Sequence, residues 1–413
     1  MSSSDEVRIL FRYLVTMTGE EYENGEIRIS GDTIHEIRPE VSPEFSGKTI
    51  DQSACLILPG FVNAHCHLSL SGLAGKIFPG TLFTPWVDQV VTENKALSWA
   101  DRIEALHREA QVLLRSGVTT LGDYLSHPEL LVEYANLPFR QVLFVETLGF
   151  NPKVAKERAD EVEAVLKGHP SSKKSFLRLG VAPHAPYSVS PELFRRLRGL
   201  AQRYSCPMSC HVAEVPEEIE FLETGGGDLR KLLQAFERDD ENWQPPGTHP
   251  VDYLDQLGQF PLQAVHLNYL DEEIPILAQR GGTAAFCPGS TRWFGRKQWM
   301  PVRKLLDYGV TVGLGTDSLA SNESLNFLRE LRIAEEMLPD IHRKELLDMA
   351  TRGGATTLSL DSGTLATGKP ADLIGFKWQK NSENWFDVPF GPERLEVDFT
   401  MIAGQISPSA PIE

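Results

Sequence analysis

Residues 56–67 read LILPGFVNAHCH, a run of apolar residues that leads into a His-x-His pair. Side chains alternate in direction along a β-strand, so His65 and His67 point to the same side and can reach one metal ion. An isolated pair of this kind also occurs in cores and on surfaces without any metal. The pair therefore predicts a metal site only if later segments supply further ligands.

The composition limits the kind of protein and its partners. The chain has 413 residues, of which 41% are hydrophobic and 23% charged, enough for one barrel-sized domain and a smaller one. Its net charge of -17 argues against nucleic acid or an anionic membrane surface as a partner. The N-terminus lacks the features of a signal peptide, and no segment is long and apolar enough to cross a bilayer. We therefore expect a cytoplasmic protein, and the five cysteines, which form no CxxC pair, predict reduced thiols.

The middle of the chain, residues 58–357, alternates strand-like and helix-like segments, which predicts a (β/α)8 TIM barrel within the α/β class. The predicted strands cover residues 58–67, 117–124, 140–149, 177–186, 206–214, 263–270, 282–290 and 310–318. The predicted helices cover residues 99–116, 152–167, 191–204, 272–281 and 322–337. Residues 225–250, which contain GGG and PPG, fit a loop insertion or a lid.

The two chain ends have a different texture. Residues 1–57 and 358–413 contain short β-rich segments separated by turns. These ends flank a middle that reads as a self-contained barrel. We therefore expect one small β-sandwich domain assembled from both ends.

Polar residues follow the predicted barrel strands at the points where the strands end. His65 and His67 end the first strand, and the others are His184 at the fourth, His211 with Glu214 at the fifth, His266 at the sixth and Asp317 at the eighth. Active sites of such barrels lie at these carboxyl ends. Five of the 11 histidines of the chain would thus meet on one rim, which favours a metal-dependent catalytic site.

The ordered set of motifs resembles the amidohydrolase superfamily, and within it the mononuclear aminohydrolase branch of deaminases and chlorohydrolase-like enzymes. The matching segments are PGFVNAHCH at 59–67, HAPYS at 184–188, HVAE at 211–214, VHL at 265–267, GTDSLASN at 315–322 and GKPADL at 368–373. Together they span nearly the whole chain. Their combination is specific, although each motif alone is not.

The resemblance implies that one divalent metal is bound by His65, His67, His211 and Asp317. Three imidazoles and a carboxylate suit Zn²⁺, and Fe²⁺ and Mn²⁺ accept the same ligand types. The predicted fourth strand contains no lysine that could bridge a second metal. Glu146 is the nearby carboxylate that could do so, and we expect it to make a hydrogen bond instead.

The same resemblance implies a hydrolytic deamination that releases ammonia from an amino-substituted heterocycle. Asp317 would accept a proton from water, Glu214 would protonate the ring nitrogen, and His266 would orient the attacking oxygen. The alternatives are an exposed surface carboxylate for Glu214 and a core histidine for His266. His184 also has the alternative of a hydrogen-bonded structural histidine.

The residues expected to contact the substrate are His184, Tyr187, Trp86, Arg292 and Ser318. Residues 286–295 read FCPGSTRWFG, where relatives commonly carry an arginine and an asparagine at positions 289 and 291. Arg292 is a candidate substitute, and an exposed loop arginine is the equal alternative.

The chain is similar to aminofutalosine-type and related adenosine deaminases, which predicts a small adenosine-like nucleoside as substrate, of the aminofutalosine, S-adenosylhomocysteine or methylthioadenosine type. A guanine or cytosine deaminase, a triazine chlorohydrolase, a cyclic amidohydrolase and a non-catalytic barrel scaffold remain alternatives. The sequence leaves open whether the protein forms a homo-oligomer.

Overall fold

The computed structural model describes residues 6–169, 176–378, 384–391 and 394–407. The strands in this part of the chain are β1 (Glu6–Val15), β2 (Glu21–Glu23), β3 (Glu26–Ser30), β4 (Thr33–Arg38), β5 (Lys48–Pro59), β6 (Phe61–Cys66), β7 (Val118–Leu125), β8 (Arg140–Thr147), β9 (Leu177–Pro183), β10 (Ser209–Val212), β11 (Gln263–His266), β12 (Thr283–Phe286), β13 (Val312–Leu314), β14 (Leu373–Lys377), β15 (Phe399–Ile402) and β16 (Gln405–Ile406).

The α-helices in the described residues are α1 (Phe83–Ala96), α2 (Trp99–Arg115), α3 (Leu131–Ala135), α4 (Ala155–Gly168), α5 (Pro191–Tyr204), α6 (Pro216–Thr224), α7 (Gly227–Ala235), α8 (Pro250–Gln256), α9 (Ile274–Arg280), α10 (Pro288–Trp293), α11 (Val302–Asp307), α12 (Phe327–Met337), α13 (Arg343–Asp348) and α14 (Gly354–Thr357). Short 3-10 turns cover Leu68–Leu73, Pro128–Leu130, Pro152–Val154 and Trp385–Phe390, and a π-helical turn covers Met349–Gly353. None of the helices described is long and apolar enough to span a membrane.

Strands from the two chain ends join in one sheet. The eight-stranded sheet has the order β16-β15-β14-β5-β1-β3-β4, with β2 paired to β1. The long strand β5 pairs with β1 on one side and with β14 on the other, so it connects the N-terminal strands to the C-terminal ones. The meeting of both chain ends agrees with the sequence. Hydrogen bonds through β5 link these strands edge to edge into one continuous sheet, and the β-sandwich arrangement of this sheet stays a prediction.

The middle of the chain supplies eight parallel strands in two four-stranded sheets, β6-β7-β8-β9 and β10-β11-β12-β13. Isolated bridges connect the sheets at both seams, between Val181 and Met208 and between Cys66 and Asp317. The strands therefore follow one another in a closed order, as expected for a (β/α)8 barrel. Each predicted strand is present, although the later ones end several residues earlier because the chain turns into the loops that carry the polar residues.

Several helices of the structure were not predicted, and two of them, α7 and α1, line the cavity described below. The predicted loop insertion at 225–250 contains α7, in which Leu229 and Leu233 are spaced by four residues and buried. This i,i+4 spacing places them on one helix face. The second is α1.

The helix α12 begins at residue 327 rather than 322, because the Asn326 side chain caps it by accepting the Arg329 N–H. The described cysteines are all unpaired thiols, as expected.

Candidate metal centre and active site

Backbone hydrogen bonds hold the His-x-His strand against the loop of Asp317. The carbonyl of His65 accepts the N–H groups of Thr316 and Asp317 at 3.0 and 3.1 Å. Asp317 has a left-handed backbone with φ of 57°, a conformation that costs energy for a residue with a side chain and is often retained at functional sites. The first and eighth barrel strands thus bring their polar ends together.

Four predicted ligands converge within the barrel mouth. The Nε2 atoms of His67 and His211 lie 3.3 Å apart, and Asp317 Oδ1 lies 3.7 Å from His65 Nε2 and 3.8 Å from His67 Nε2. Ligand atoms that bind zinc tetrahedrally at about 2.0–2.1 Å are separated by roughly 3.3 Å. The four side chains are therefore close to the spacing that a single ion requires.

The buried nitrogens of these histidines need a partner. His65 Nε2 and Nδ1 and His67 Nδ1 are buried and have no hydrogen-bond partner among the residues that the structure describes, a costly state for a polar atom. Burial also lowers the pKa of His67 and of His211 well below the usual value, with the neighbouring histidine charges acting in the same direction. Neutral imidazoles with free lone pairs are the form that binds a metal, so the donor set fits a divalent ion.

The orientation of two ligands is fixed by further hydrogen bonds. His211 Nδ1 lies 2.9 Å from the His184 carbonyl oxygen, so it donates there and leaves Nε2 free, as is usual for metal-binding histidines. Asp317 Oδ2 accepts the hydroxyls of Ser290 at 2.7 Å and Ser321 at 2.8 Å. Oδ1 is left to face the histidines. The two serines were missed from the sequence, since nothing in their spacing indicates that they meet on one oxygen.

Glu214 is buried in the same cluster, with 6% of its surface exposed. Its Oε2 lies 3.9 Å from His266 Nε2, and its backbone N–H donates to Glu218 Oε2 at 3.0 Å. Burial raises the pKa of Glu214 to about 7, against the opposing charge of Arg296. Burial lowers the pKa of His266 to about 3, so this imidazole is neutral. A carboxyl group that can hold or release a proton near neutral pH is suited to proton transfer.

A cavity of about 350 Å³ opens from this cluster. The polar end contains His67, His184, His211, Glu214, His266, Asp317 and Ser318. The walls are apolar and come mainly from α1 and α7, with Phe83, Trp86, Val87 and Val90 from α1 and Leu229, Leu232 and Leu233 from α7. A cluster of polar residues at the end of an apolar cavity is typical of a site for a small organic molecule.

Comparison with known proteins agrees with this geometry. The model of the family described as the amidohydrolase family matches residues 56–407. The chain belongs to the amidohydrolase family. A 5-methylthioadenosine/S-adenosylhomocysteine deaminase from Pelotomaculum thermopropionicum is 31% identical over 87% of this chain and 82% of that protein. An aminodeoxyfutalosine deaminase from Deinococcus radiodurans is 29% identical over 89% of this chain and 88% of that protein.

The fold has counterparts among solved structures. An aminofutalosine deaminase from Helicobacter pylori, in complex with methylthio-coformycin, superposes with a TM-score of 0.84 at 24% identity and covers 98% of this chain and 100% of that one. The amidohydrolase fold therefore extends over the described chain, including the sheet formed by its two ends.

The structure of this amidohydrolase places four of the five expected substrate contacts along the cavity. Trp86, His184, Tyr187 and Ser318 line it. Arg292 does not, because its guanidinium pairs with Glu336 on the protein surface. The expectation that Arg292 contacts the substrate is therefore not supported by its position, and the reason is that residue 292 lies on the outer face of the short helix α10.

Glu146 lies at the cavity wall. Its Oε1 is 4.0 Å from His184 Nε2, and its Oε2 accepts a hydrogen bond from Ser126. Burial raises the pKa of Glu146 to about 7. Glu146, His184 and His211 also come close enough to hold an ion, but the hydrogen bond to Ser126 agrees with the structural role expected for Glu146.

A buried polar network supports the Asp317 loop from below. Glu330 accepts the Gly289 N–H at 2.5 Å and an Asn322 side-chain N–H at 3.1 Å, and Asn322 also donates to the Thr316 carbonyl at 2.9 Å. The network leaves no room for a side chain at position 289, since a Cβ on Gly289 would lie 2.3 Å from Asn322 Nδ2 and 2.6 Å from Glu330 Oε2.

The substitution Gly289→Ala is expected to lower the free energy of unfolding by about 1–3 kcal/mol, because the added methyl group must displace buried hydrogen-bonded atoms. Denaturant unfolding measures this change. The matched control is Gly199→Ala in α5, where nothing lies within 4 Å of the added Cβ, and we expect it to raise stability by up to about 1 kcal/mol. An unchanged stability of the Gly289 variant would contradict a tightly packed network.

Proposed function

We propose that this amidohydrolase is a metal-dependent deaminase that hydrolyses the exocyclic amine of an adenosine-like nucleoside and releases ammonia. The observation that carries the proposal is the position of Glu214, buried at the polar end of the cavity, next to His266 and within the cluster of predicted ligands. Protonation of a ring nitrogen requires a proton donor at this point, and a carboxyl group with a raised pKa is suited to that role. A hydrolysis that lacks this step would not need it.

The proposed proton path uses three side chains. Asp317 Oδ1 accepts a proton from the attacking water, because its other oxygen is occupied by two serine hydroxyls. Glu214 gives its proton to the ring nitrogen as the tetrahedral centre forms. The proton taken from water then passes to the amine, and the C–N bond breaks to release ammonia. As the C–O double bond forms, the second proton of the water returns to Glu214, which restores the carboxyl group. The neutral His266 imidazole carries one N–H, with which it orients the attacking oxygen.

The metal would be held by His65, His67, His211 and Asp317, and Zn²⁺ suits this donor set best. A divalent ion in this position supplies Lewis acidity, which brings the pKa of water to near 7. The chain's own residues then exclude bulk water, because each of the four ligand residues has at most 6% of its surface exposed.

The substrate class follows from the cavity and from the relatives. The relatives named above act, by their names, on methylthioadenosine, S-adenosylhomocysteine or aminodeoxyfutalosine. All of these are nucleosides with a substituent on the sugar. The apolar walls from α1 and α7 extend the cavity beyond the polar cluster, which leaves room for such a substituent. We therefore propose a 5′-substituted adenosine derivative rather than a free base.

An ammonia-release assay on zinc-loaded protein tests this proposal. The substrates are adenosine, methylthioadenosine, S-adenosylhomocysteine and aminodeoxyfutalosine, with guanine and cytosine as free-base controls. We expect at least one substituted adenosine to be deaminated with a higher kcat/KM than either base. The proposal is wrong if no nucleoside releases ammonia while a cyclic amide or a chlorinated triazine is hydrolysed.

The indole of Trp86 is expected to stack on the base. It lines the cavity and is held by a 2.7 Å hydrogen bond from Nε1 to the Ala320 carbonyl. Stacking of a base on an aromatic ring contributes about 1–3 kcal/mol, so Trp86→Ala should raise KM about 10-fold or more, with a smaller change in kcat. Steady-state kinetics measure this. The control Trp299→Ala, at an exposed position, should leave KM unchanged, and equal effects of both variants would rule out the stacking role.

A further inference from the structure

A buried arginine outside the predicted site contacts the proton-transferring carboxyl group. Arg296 Nη2 lies 2.8 Å from Glu214 Oε1, and both side chains are less than 10% exposed. The other face of the guanidinium packs on the Phe294 ring, with Cζ 4.4 Å from the ring centroid. Arg296 is thus held between an aromatic ring and a carboxylate, an arrangement that restricts both groups.

The backbone directs Arg296 to this place. After α10, Gly295 adopts a left-handed φ of 66°, and the Arg296 N–H donates back to the Thr291 carbonyl at 3.1 Å. This reversal turns the chain inward one residue before the arginine. The ion pair is therefore set by the fold of the loop rather than by a freely moving surface side chain.

The ion pair divides the roles of the two carboxyl oxygens of Glu214. Oε1 is occupied by Arg296, and Oε2 is the oxygen that lies nearer to His266, at 3.9 Å from its Nε2. Arg296 does not line the cavity itself. It can therefore act on a substrate only through Glu214.

Glu214 has several charged or titratable neighbours on the elements around it: Tyr187 after β9, Glu217 and Glu218 in α6, His266 at the end of β11, Arg296 after α10 and Asp317 after β13. The carboxylates among them oppose ionisation of Glu214, as burial does. Within this set Arg296 is the permanent cation. Its loss would leave a buried carboxyl group without charge compensation.

We propose that Arg296 is a positioning residue for catalysis: it fixes the Glu214 carboxyl so that Oε2 faces the substrate's ring nitrogen. This inference rests on the proposed deaminase function. It adds a residue that neither contacts the substrate nor binds the metal, and whose removal should change both the rate and its pH dependence.

The test compares Arg296→Met and Arg296→Gln with Arg296→Lys and wild type, all zinc-loaded. We expect the two neutral variants to lose up to about 10²-fold in kcat, as misplaced catalytic groups do, with KM changed far less. The alkaline limb of kcat/KM should move to higher pH, because Glu214 then keeps its proton longer. The lysine variant keeps the charge, so its alkaline limb should stay near that of wild type. Its kcat should recover only in part, since an ammonium group cannot replace the planar fork.

Three controls distinguish the proposed positioning role of Arg296 from a merely structural one. Arg280→Met breaks a surface ion pair with Asp255 of 2.7 Å and should leave kcat and its pH profile unchanged. Zinc content and melting temperature show whether each variant is folded and loaded. In a Glu214→Gln background, Arg296→Met should lower kcat no further, because the two residues act as one unit.

Two results would overturn the inference. The first is an Arg296→Met or Arg296→Gln variant with wild-type kcat and pH profile. The second is a variant that loses kcat while its alkaline limb stays in place, and in which the same loss is seen when Glu214 is already glutamine. If wild-type protein deaminates no adenosine derivative, the proposed function fails and the inference fails with it. If wild type is active and the neutral variants match it, only the inference fails. Because two neutral variants are used, a folding defect in one leaves the other to decide.

Discussion

The substitution Glu214→Gln is expected to lower kcat by about 10²- to 10⁴-fold, the range that general acid catalysis contributes, while the bound metal is retained. The amide keeps the shape of the side chain but cannot give a proton to a ring nitrogen. Since Glu214 is three residues beyond the ligand His211 and is not itself among the four predicted ligands, metal content should stay at the wild-type level. Steady-state kinetics and metal analysis of the same preparation measure both quantities.

The pH profile of the wild-type protein provides a second measurement of the same role. The pKa of Glu214 is raised to about 7, mainly by burial. The protonated form is the donor, so kcat/KM should be maintained below this value and fall as the pH rises through it. Glu214→Gln should lose this alkaline limb. The matched control is Glu223→Gln at an exposed position of α6, which should retain both rate and profile, and a Glu214 variant with wild-type turnover would disprove the assignment.

Removal of one ligand has the other large expected effect. His67→Ala should abolish tight binding of a divalent ion and lower kcat/KM by about 10³-fold or more, because the lost Lewis acidity corresponds to several kcal/mol of transition-state stabilisation. His67 Nε2 faces both His211 and Asp317, at 3.3 and 3.8 Å, so its loss leaves those ligands without their neighbour. Metal analysis after dialysis and ammonia release measure the effect.

The control for this variant is His35→Ala in β4, an exposed histidine of the end sheet. It should keep both the metal and the activity. A His67 variant that retains one equivalent of tightly bound metal would show that the ion is held elsewhere, for example by the cluster of Glu146, His184 and His211. In that case the assignment of the metal centre would be wrong.

The run of eight parallel strands and the convergence of the candidate ligands could be predicted from sequence because the information is local. Each barrel strand is a short apolar run, and each polar residue lies at or just beyond the carboxyl end of its strand. Because the carboxyl ends of parallel strands meet at one rim of a barrel, these residues come together. His65, His67, His211, His266 and Asp317 are all placed together as this rule requires. Contacts between segments that are distant in the sequence were harder to predict. In the sheet formed by the chain ends, for example, β5 pairs with strands from both ends.

The cavity walls and the partners of the catalytic groups could not be predicted in this way. Three successive glycines at residues 225–227, the last of which begins α7, favour a loop, yet buried leucines hold this helix over the cavity. Arg296 could not be distinguished from Arg292 by residue type, and only the reversal at Gly295 turns one inward while the other remains on the surface. Ion pairs between residues 82 positions apart leave no mark on local sequence patterns.

The dependence of turnover on bound metal is the most direct test of this account. Protein stripped by a chelator is titrated with Zn²⁺, and kcat for a substituted adenosine is measured beside the metal content of each sample. We predict that the metal-free protein is inactive and that kcat rises in proportion to bound zinc up to one ion per chain. Full activity in metal-free protein, or activity that appears only with a second bound ion, would contradict a deaminase built on a single metal held by His65, His67, His211 and Asp317.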